Sequence, residues 1–538
     1  MPDKTKPDPT RYITLAIIFA FALAFRIIGI TWSLPNELHH FTYHPDELLL
    51  ISSAVGMLSP FSLNPRFYNY GTLYIYLIFC AAVAALGRST GAEEMLQQTY
   101  IGARLISAVL GAAVIFTVYS IGKRLAGRFT GLIAAICLAI APLHIMHSHF
   151  ATVDSTAVFF SALAVLYGLI CAADGKLKQC FYAGLFAGFA AGTKYNAGLM
   201  LVPAVVGVLL GVPARSAKAV GSRAGLCALG AVLGFLIGTP GVLLFADDFL
   251  KGLRFEITHS ATGHGFVFAN TDPGWLWHIR SSLLYGLGPA LLGLAILGFI
   301  YATARALRKE KAPIVLLSGL IPYYIIASTS EVRFARYLLP VFPILTVLAA
   351  YAITSIYKHF SEKSRWAAVL WFTFSGTALI ITFAYSVEIT RLFIGEDPRD
   401  RAYLWLKDNA VKGETIAFAT IPWFYSPPVT PQTTALDPAQ RYNSLTHSKD
   451  RWELLANPEM EFDKSILNSH PRYVIVSDYE LNDRIRADDP AAAAFMSELK
   501  ARYKLAVKFE RHSPLFDTEK LPHDMKYTAP TIIIYERR

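Results

Sequence analysis

Residues 155–172 read STAVFFSALAVLYGLICA, a stretch of eighteen residues without a charged side chain. The run follows Asp154 and is succeeded by Lys176 and Lys178. Its length is close to what an α-helix needs to cross the roughly 30 Å hydrocarbon core of a bilayer. The stretch therefore predicts a membrane-spanning helix with its basic flank on the cytoplasmic side.

The same pattern recurs through most of the first 388 residues. Hydrophobic residues make up 54% of the 538-residue chain and charged residues 16%, with a mean hydropathy of +0.41. These values exclude an ordinary soluble protein. The apolar runs predict about eleven spans, near residues 12–32, 100–121, 129–142, 155–172, 180–194, 195–212, 224–245, 276–304, 313–328, 337–356 and 366–388.

Basic loops orient these predicted spans. If residues 70–87 lie along the outer face instead of crossing, every loop rich in Lys and Arg faces the cytoplasm, from the loop with Lys123 to the one with Arg215. We therefore expect a multi-pass protein of a prokaryotic inner membrane with a cytoplasmic N-terminus. The net charge of +10 resides mostly in these loops and does not indicate nucleic-acid binding.

The continuous apolar run from 180 to 212 must supply two short spans if the topology is to hold. Gly192 and Asn196 flank Lys194 and predict a break there, which is tolerated at membrane depth only beside a cavity or protein.

The remainder of the chain has the composition of a globular domain. It predicts a helix over 399–411 and strands over 415–420, 472–477 and 531–535. We thus expect a mainly α fold: a polytopic transmembrane domain over 1–389, with interfacial helices in its first outer loop, and an extracytoplasmic α/β domain over 390–538.

The string YHPDE at residues 43–47 lies in the predicted first outer loop. One interpretation is a solvated turn that opens a helix, with Pro45 in the first turn and two acids favoured by the helix dipole. The other is functional, with Asp46 as a general base that accepts the proton of an acceptor hydroxyl.

A second acid, Asp154, follows the histidine-containing string LHIMHSHFATVD at residues 143–154 on the same predicted face. Asp154 is either the cap of the next helix or part of an active site. The histidines are either interfacial polar residues or metal ligands, and Asp46 with Asp154 is an oxygen pair that suits a divalent cation. The sequence leaves the metal open.

Cationic side chains lie in or beside the apolar runs. Arg104, Lys194, Arg333 and Arg336 are costly at membrane depth, so we expect them to face a partner such as a lipid phosphate. Arg26 is instead predicted to snorkel to the interface.

Carboxylates and phosphate-binding cations on one face favour an inverting glycosyl transfer, in which a lipid phosphate leaves. The alternative is a transporter or flippase of polyprenyl-linked lipids, although no internal repeat is visible.

Four strings resemble motifs of the GT-C membrane glycosyltransferases, in the branch of protein O-mannosyltransferases and bacterial lipid A aminoarabinose transferases. They are HPDE at 44–47, HFATVD at 149–154, TKYN at 193–196 and RYLLP at 336–340. The resemblance covers roughly the whole membrane part.

This resemblance implies a polyprenyl-phosphate-sugar donor and an acceptor that is a protein, a lipid or an envelope glycan. It also implies specific roles: Asp46 would be the catalytic base, Glu47 its support, and Asp154 a further residue of the site. Arg104, Lys194 and Arg336 would hold the carrier phosphate. Candidate acceptor or lid residues are His149, His259 and His264.

Overall fold

The computed structural model describes residues 9–211, 217–433, 435–447, 451–458 and 461–538. Arg215, one of the predicted cytoplasmic loop residues, lies outside these ranges. The chain divides into two compact units. The helical unit comprises residues 1–30, 53–260 and 274–390, and the α/β unit comprises residues 31–52, 261–273 and 391–538. Two segments from the membrane part of the sequence thus cluster with the C-terminal residues.

The helical unit is built almost entirely of apolar helices. The longer helices in and at the edges of this unit are Pro9–Ile27, Leu73–Leu86, Ala92–Ala126, Arg128–Ala139, Asp154–Asp174, Leu177–Ala191, Leu201–Leu210, Ala217–Gly238, Ala246–Thr262, Pro289–Leu307, Lys311–Thr329, Phe342–Ser361 and Arg365–Arg391. The shorter ones are Pro142–His147, Tyr195–Met200, Gly241–Leu244, Gly274–Trp277, His278–Leu283, Leu284–Leu287 and Ala335–Val341.

Among the residues that the structure describes, seven helices are long and apolar enough to cross a membrane. They are Ala92–Ala126, Asp154–Asp174, Lys218–Gly238, Pro289–Leu307, Lys311–Thr329, Ala335–Ser361 and Arg365–Arg391. The chain is therefore a multi-pass membrane protein, as predicted, while the expected number of about eleven spans is not confirmed. Helix Leu73–Leu86 has 14 residues, or about 21 Å at 1.5 Å per residue, so it is too short to cross alone.

Glycine determines how closely two of these helices approach. Gly184 and Gly188 lie on helix Leu177–Ala191, and Gly230 and Gly234 lie on helix Ala217–Gly238. A Cβ on Gly230 would lie 2.2 Å from the Phe181 carbonyl oxygen, and one on Gly184 would lie 1.8 Å from that of Cys227. The four-residue glycine spacing on both helices thus brings the two backbones into direct contact, as small residues do in membranes.

The predicted break near Lys194 is confirmed. Helix Leu177–Ala191 ends, Lys194 is extended, and a 3₁₀ turn begins at Tyr195. The Gly192 carbonyl, released from the helix, accepts from the Leu73 N–H at 3.0 Å and from Thr239 Oγ1 at 3.2 Å. Because the Gly192 carbonyl has hydrogen-bond donors outside its own helix, the helix can be interrupted at membrane depth.

The α/β unit carries a five-stranded sheet in the order β2-β1-β3-β5-β4. The strands are β1 (Thr415–Phe418), β2 (Glu453–Leu455), β3 (Tyr473–Ser477), β4 (Tyr503–Phe509) and β5 (Ile532–Arg537). β1, β2 and β3 are parallel, whereas β4 and β5 pair antiparallel. The unit's helices are Pro398–Asn409, Pro438–His447, Lys464–Ser469, Asp478–Arg486, Pro490–Arg502, Thr518–Lys520 and His523–Thr528, and helix Pro45–Val55 begins in it.

Side chains cap the helices of this unit. Helix Asp478–Arg486 begins with a capping box, in which Ser477 and Glu480 bond each other's backbone. Asp397 and Asp489 accept N–H groups at the starts of two further helices, which also carry Pro in the first turn. These are the start signals of helices in water. The predicted combination of a helical membrane domain with a C-terminal α/β domain is confirmed.

Candidate active site

Asp154 and Lys194 form a buried ion pair in the helical unit. Lys194 Nζ donates to Asp154 Oδ1 at 2.8 Å, and the two residues are 4% and 2% exposed. Asp154 is the first residue of helix Asp154–Asp174, where the helix dipole favours a carboxylate. Its side chain makes no cap bond to the helix. The capping interpretation of Asp154 is therefore wrong. The helix break at Lys194 places the lysine side chain where it can pair with Asp154.

Two further groups complete the environment of this pair. Thr152 Oγ1 donates to Asp154 Oδ2 at 3.2 Å, and His147 Nδ1 lies 3.7 Å from the same oxygen. The Lys194 ammonium lies 4.7 Å from the centre of the Tyr337 ring. Tyr337 belongs to the RYLLP string, so the structure brings three of the four resembling strings together in this unit.

Arg336 adds a second cation. It is 4% exposed, its guanidinium stacks on the Phe334 ring at 4.2 Å, and it acts electrostatically on the Asp154 carboxylate. One carboxylate thus has two cationic neighbours, Lys194 and Arg336. Two buried cations beside one carboxylate form a group of side chains that suits an anionic ligand.

Arg104 and His149 tie down the end of the first helix. Arg104 Nη1 donates to the Ile30 carbonyl at 2.7 Å, and Arg104 is 1% exposed. The His149 ring nitrogens lie 2.9 Å from the carbonyl oxygens of Ile28 and Ile145. The burial of His149 and its two carbonyl neighbours favour a part in holding the first helix over a part in a mobile lid.

Arg26 is fully buried, so the predicted snorkelling is wrong. Its guanidinium lies 2.8 Å from His144 Nδ1 and donates to the carbonyls of Leu138 and Ala139, at 3.4 and 3.5 Å. These carbonyls lie at the end of helix Arg128–Ala139, where the regular helical donors run out and the Leu138 carbonyl also accepts from the Ala141 N–H at 3.3 Å. Arg26 therefore acts as a cationic cap on a buried helix end.

The acidic string YHPDE lies in the α/β unit. Helix Pro45–Val55 begins at Pro45, so Asp46 and Glu47 occupy its first turn, as the helix-start interpretation predicted. Glu47 is fully buried and accepts from Thr42 Oγ1 at 2.8 Å, whereas Asp46 is partly exposed. This arrangement leaves Asp46 accessible to a reactant while Glu47 is held internally.

The remaining predicted site residues are Arg333, His259 and His264. Arg333 pairs with the exposed Glu331 at 3.0 Å, and His259 Nδ1 lies 4.0 Å from Glu256 on its own helix. His264 is exposed on the segment 261–273, which is in the α/β unit. Arg486 donates to the Val267 carbonyl at 2.6 Å and fixes part of that segment. Their assignments remain predictions.

No group of three or more His, Cys, Asp or Glu side chains suited to a metal ion occurs among the residues that the structure describes. Sequence analysis missed the buried Arg399, which ion-pairs with Asp397 and stacks on Tyr43 of the YHPDE string. The available signal was the dense charge run EDPRDR at residues 396–401. Its members were predicted only to start a helix.

Two family models match the chain. Residues 89–241 match the family of dolichyl-phosphate-mannose-protein mannosyltransferases, and residues 267–425 match the Alg9-like mannosyltransferase family. No curated protein sequence matches the chain significantly.

Solved structures share the fold at low sequence identity. The apo oligosaccharyltransferase of Archaeoglobus fulgidus is 12% identical with a TM-score of 0.55, over 94% of this chain and 74% of that one. The ArnT protein of Cupriavidus metallidurans, solved with undecaprenyl phosphate, is 12% identical with a TM-score of 0.52, over 96% of this chain and 97% of that one.

Both family models describe glycosyltransferases, and neither describes a transporter. The structural similarity extends over almost the whole chain and includes its C-terminal unit. The protein is thus a membrane glycosyltransferase with the GT-C fold, as its motifs predicted.

Proposed function

We propose that this enzyme transfers a sugar from a polyprenyl-phosphate carrier to an acceptor hydroxyl, with inversion at the anomeric carbon. The observation that carries the proposal is the group of Asp154, Lys194 and Arg336, which buries two cations against one carboxylate in a membrane-embedded unit. A lipid phosphate accepts charge-assisted hydrogen bonds from Lys and Arg at the depth where these side chains lie.

The chemistry follows from the donor. The acceptor oxygen attacks the anomeric carbon from the face opposite the phosphate, the bond from this carbon to the phosphate oxygen breaks, and the configuration inverts. Asp46 accepts the proton of the attacking hydroxyl as general base. Lys194, Arg336 and Arg104 stabilise the charge that develops on the departing phosphate. Glu47 holds the start of the helix that carries Asp46.

The helical unit also offers a place for the carrier's chain. A groove with a wholly apolar lining lies among the helices that span 274–329 and 342–361, and includes Leu283, Ile296 and Tyr324. Tyr324 follows Tyr323, whose hydroxyl donates to the Tyr337 carbonyl at 2.8 Å. The ring of Tyr337 in turn lies 4.7 Å from the Lys194 ammonium, so one groove residue is next in sequence to a residue that contacts this part of the site.

The comparisons support this donor class. The Cupriavidus metallidurans structure contains undecaprenyl phosphate, and the AglB protein of Archaeoglobus fulgidus was solved with an inhibitory peptide and a dolichol-phosphate. We infer an acceptor that is a protein, a lipid or an envelope glycan.

We further infer that the N-terminus is cytoplasmic and that residues 390–538 lie outside the inner membrane, from the distribution of basic loops. A C-terminal alkaline phosphatase fusion is expected to be active and a C-terminal green fluorescent protein fusion dark. The reverse result would invert the topology.

Transfer from a radiolabelled polyprenyl-phosphate sugar to an envelope acceptor fraction tests the reaction. The substitution Asp46→Asn is expected to lower the rate about 10²- to 10⁴-fold at equal expression, because the general base is lost. Glu93→Gln is the matched control, since Glu93 is also a carboxylate in the first turn of a helix, and it should retain transfer.

Equal rates for the two variants would remove Asp46 from the mechanism. Absence of transfer in the unmodified enzyme, together with passage of labelled carrier lipid across proteoliposomes, would replace the proposal with lipid transport.

A further inference from the structure

The residues just before the proposed base are buried in the α/β unit. Tyr43 is fully buried, its hydroxyl donates to Asp400, and its ring lies 3.8 Å from the centre of the Arg399 guanidinium. His44 is also fully buried, and its ring centre lies 4.5 Å from that of Tyr527. The chain therefore enters helix Pro45–Val55 from two side chains that are held by residues far along the sequence.

Arg399 is the common partner of these contacts. It is fully buried and pairs bidentately with Asp397, through Nε at 2.6 Å and Nη2 at 2.7 Å. Nη1 donates to the Phe424 carbonyl at 2.6 Å and Nη2 to the Tyr527 carbonyl at 2.8 Å. One planar guanidinium thus joins the Tyr43 ring, helix Pro398–Asn409 and the Tyr527 backbone.

Asp397 extends the same network to the end of the first predicted span. Trp32 Nε1 donates to Asp397 Oδ2 at 3.2 Å, so the carboxylate binds Arg399 and Trp32 together. The first-loop segment is therefore held at Trp32 and at Tyr43, on either side of ten residues that contain no regular secondary structure. Because the segment has no regular secondary structure of its own, these contacts are what fixes the direction of the helix that follows.

The geometry points to Arg399 as a positioning residue: we propose that it fixes Tyr43 and, through it, the orientation of the helix turn that carries Asp46. The proposal rests on the proposed function, in which Asp46 is the base. A base must lie within hydrogen-bonding distance of its proton in the reacting complex, and a displacement of about 1 Å is enough to cost about a hundredfold in rate.

Lysine cannot replace arginine here. An ammonium is a point charge with three donors on one atom, whereas this site uses the planar fork to reach two carboxylate oxygens and two carbonyls while stacking on a ring. Arg399→Lys keeps the positive charge for Asp397 and removes the fork. It is therefore the variant that separates geometry from charge.

Arg441 provides a matched control. It is 1% exposed, donates to the carbonyls of Ala435 and Leu436, and lies 4.7 Å from the centre of the Trp423 ring. It is a buried arginine of the same unit that likewise donates to carbonyls and lies against an aromatic ring, but these partners lie outside residues 31–52. Arg441→Lys should perturb the α/β unit without moving the acidic motif.

The experiment compares the two variants in the full-length enzyme by steady-state transfer and by hydrogen exchange of peptides covering residues 41–55. We expect Arg399→Lys to lower kcat about 10- to 100-fold with the donor KM unchanged and to speed exchange in this peptide about tenfold. Arg441→Lys should keep kcat within about threefold and leave that peptide unchanged. Tyr43→Phe, which keeps the ring and loses the hydroxyl, should lie between them.

Three results would overturn the proposal: full transfer by Arg399→Lys, equal losses in both lysine variants, or unchanged exchange of residues 41–55 in Arg399→Lys. The failure of the proposed function looks different. If Asp46→Asn transfers at the normal rate, the base assignment is wrong. If Asp46→Asn is inactive while Arg399→Lys is fully active, only the positioning role is wrong.

Discussion

Each unit buries a close ion pair, and Asp154–Lys194 in the helical unit is built differently from Asp397–Arg399 in the α/β unit. In the helical unit Lys194 reaches Asp154 from a break between helices, forty positions along the chain. In the α/β unit Arg399 pairs with Asp397, two positions away, and the pair is part of a helix start. The first pair depends on tertiary packing, while the second is largely local.

The two cations also differ in how far their donors are used. Arg399 makes four side-chain hydrogen bonds, to Asp397, Phe424 and Tyr527. Among the residues that the structure describes, the Lys194 ammonium donates to Asp154 and contacts the Tyr337 ring. An ammonium has three donors. The arginine uses four of its five donors within the protein, whereas the lysine retains more capacity for a ligand.

This difference separates a positioning cation from a binding one. A guanidinium that uses four of its five donors internally fixes the groups around it and has little left to offer a substrate. A buried ammonium held by one carboxylate is oriented but still able to donate, which is the condition for contact with a phosphate that arrives and leaves. Substitutions in the two pairs should therefore separate stability from activity in different ways.

The largest expected effect is that of Lys194→Met. It leaves Asp154 buried without its cation, which should cost about 3–5 kcal/mol of the helical unit's unfolding free energy. A thiol-reactive dye measures this selectively, because Cys137, Cys171, Cys180 and Cys227 are buried in the helical unit and the described α/β unit contains no cysteine.

The double variant Lys194→Met with Asp154→Asn removes both charges. It should recover most of the stability and none of the sugar transfer, because the ligand contact stays lost. Recovery of both properties would show that the pair is purely structural.

The stability of the α/β unit is expected to change with pH because of a buried carboxyl group, that of Glu480, which has no close cationic partner among the described residues. Burial raises the pKa of Glu480 to about 7, although Thr420 Oγ1 and the Ser477 N–H donate to its carboxyl group and Arg484 favours its charged form. Because the native state then binds the proton more tightly than the unfolded state, stability falls as pH rises from about 4.5 to 7.

We expect the α/β unit to lose up to about 3 kcal/mol over this range through Glu480, measured by pulse proteolysis with cleavage followed in residues 391–538. Glu480→Gln should flatten the profile chiefly between about pH 6 and 7, because Asp400 and Asp483, whose pKa values burial raises to about 6, contribute slopes of similar size at lower pH. A profile for Glu480→Gln as steep as that of the unmodified protein would contradict this account.

The smallest effect is expected at an exposed pair. Lys508 lies 2.6 Å from Glu510 and 2.9 Å from Glu519, with its side chain 35% exposed. Water screens such pairs, so Lys508→Met should change the unfolding free energy by less than about 1 kcal/mol, in the same proteolysis assay. A loss comparable to that of Lys194→Met would mean that pairing, and not burial, sets the size of these effects.

Much of the fold could be predicted from the sequence. Long apolar runs and flanking basic residues are local signals, and so are the β-branched runs that became β1, β3 and β5. The predicted helix over 399–411 is observed as Pro398–Asn409. Strand β2 has three residues and β4 is mostly exposed, so neither shows a clear alternating pattern, and both were missed.

The individual residues of the candidate site could be predicted from the sequence, but the contacts between them could not. Asp154 and Lys194 stood out because charges are rare in apolar runs, and the structure joins them. Arg26 was misjudged because its partners, the carbonyls of Leu138 and Ala139, are backbone atoms that no side-chain pattern announces. Arg399 was overlooked because a charge run beside a helix start usually faces solvent, and only the tertiary fold buries this one.

The grip of Asp397 on Trp32 has a consequence for biosynthesis. These residues are 365 positions apart, so at about 5–20 residues per second the ribosome needs roughly 20–70 s to progress from one to the other. During that interval the first-loop segment has been made while the residues that hold it have not. A nascent chain therefore cannot anchor its acidic motif through this contact before residue 397 has been made, and products that stop earlier would reach the membrane without this anchor.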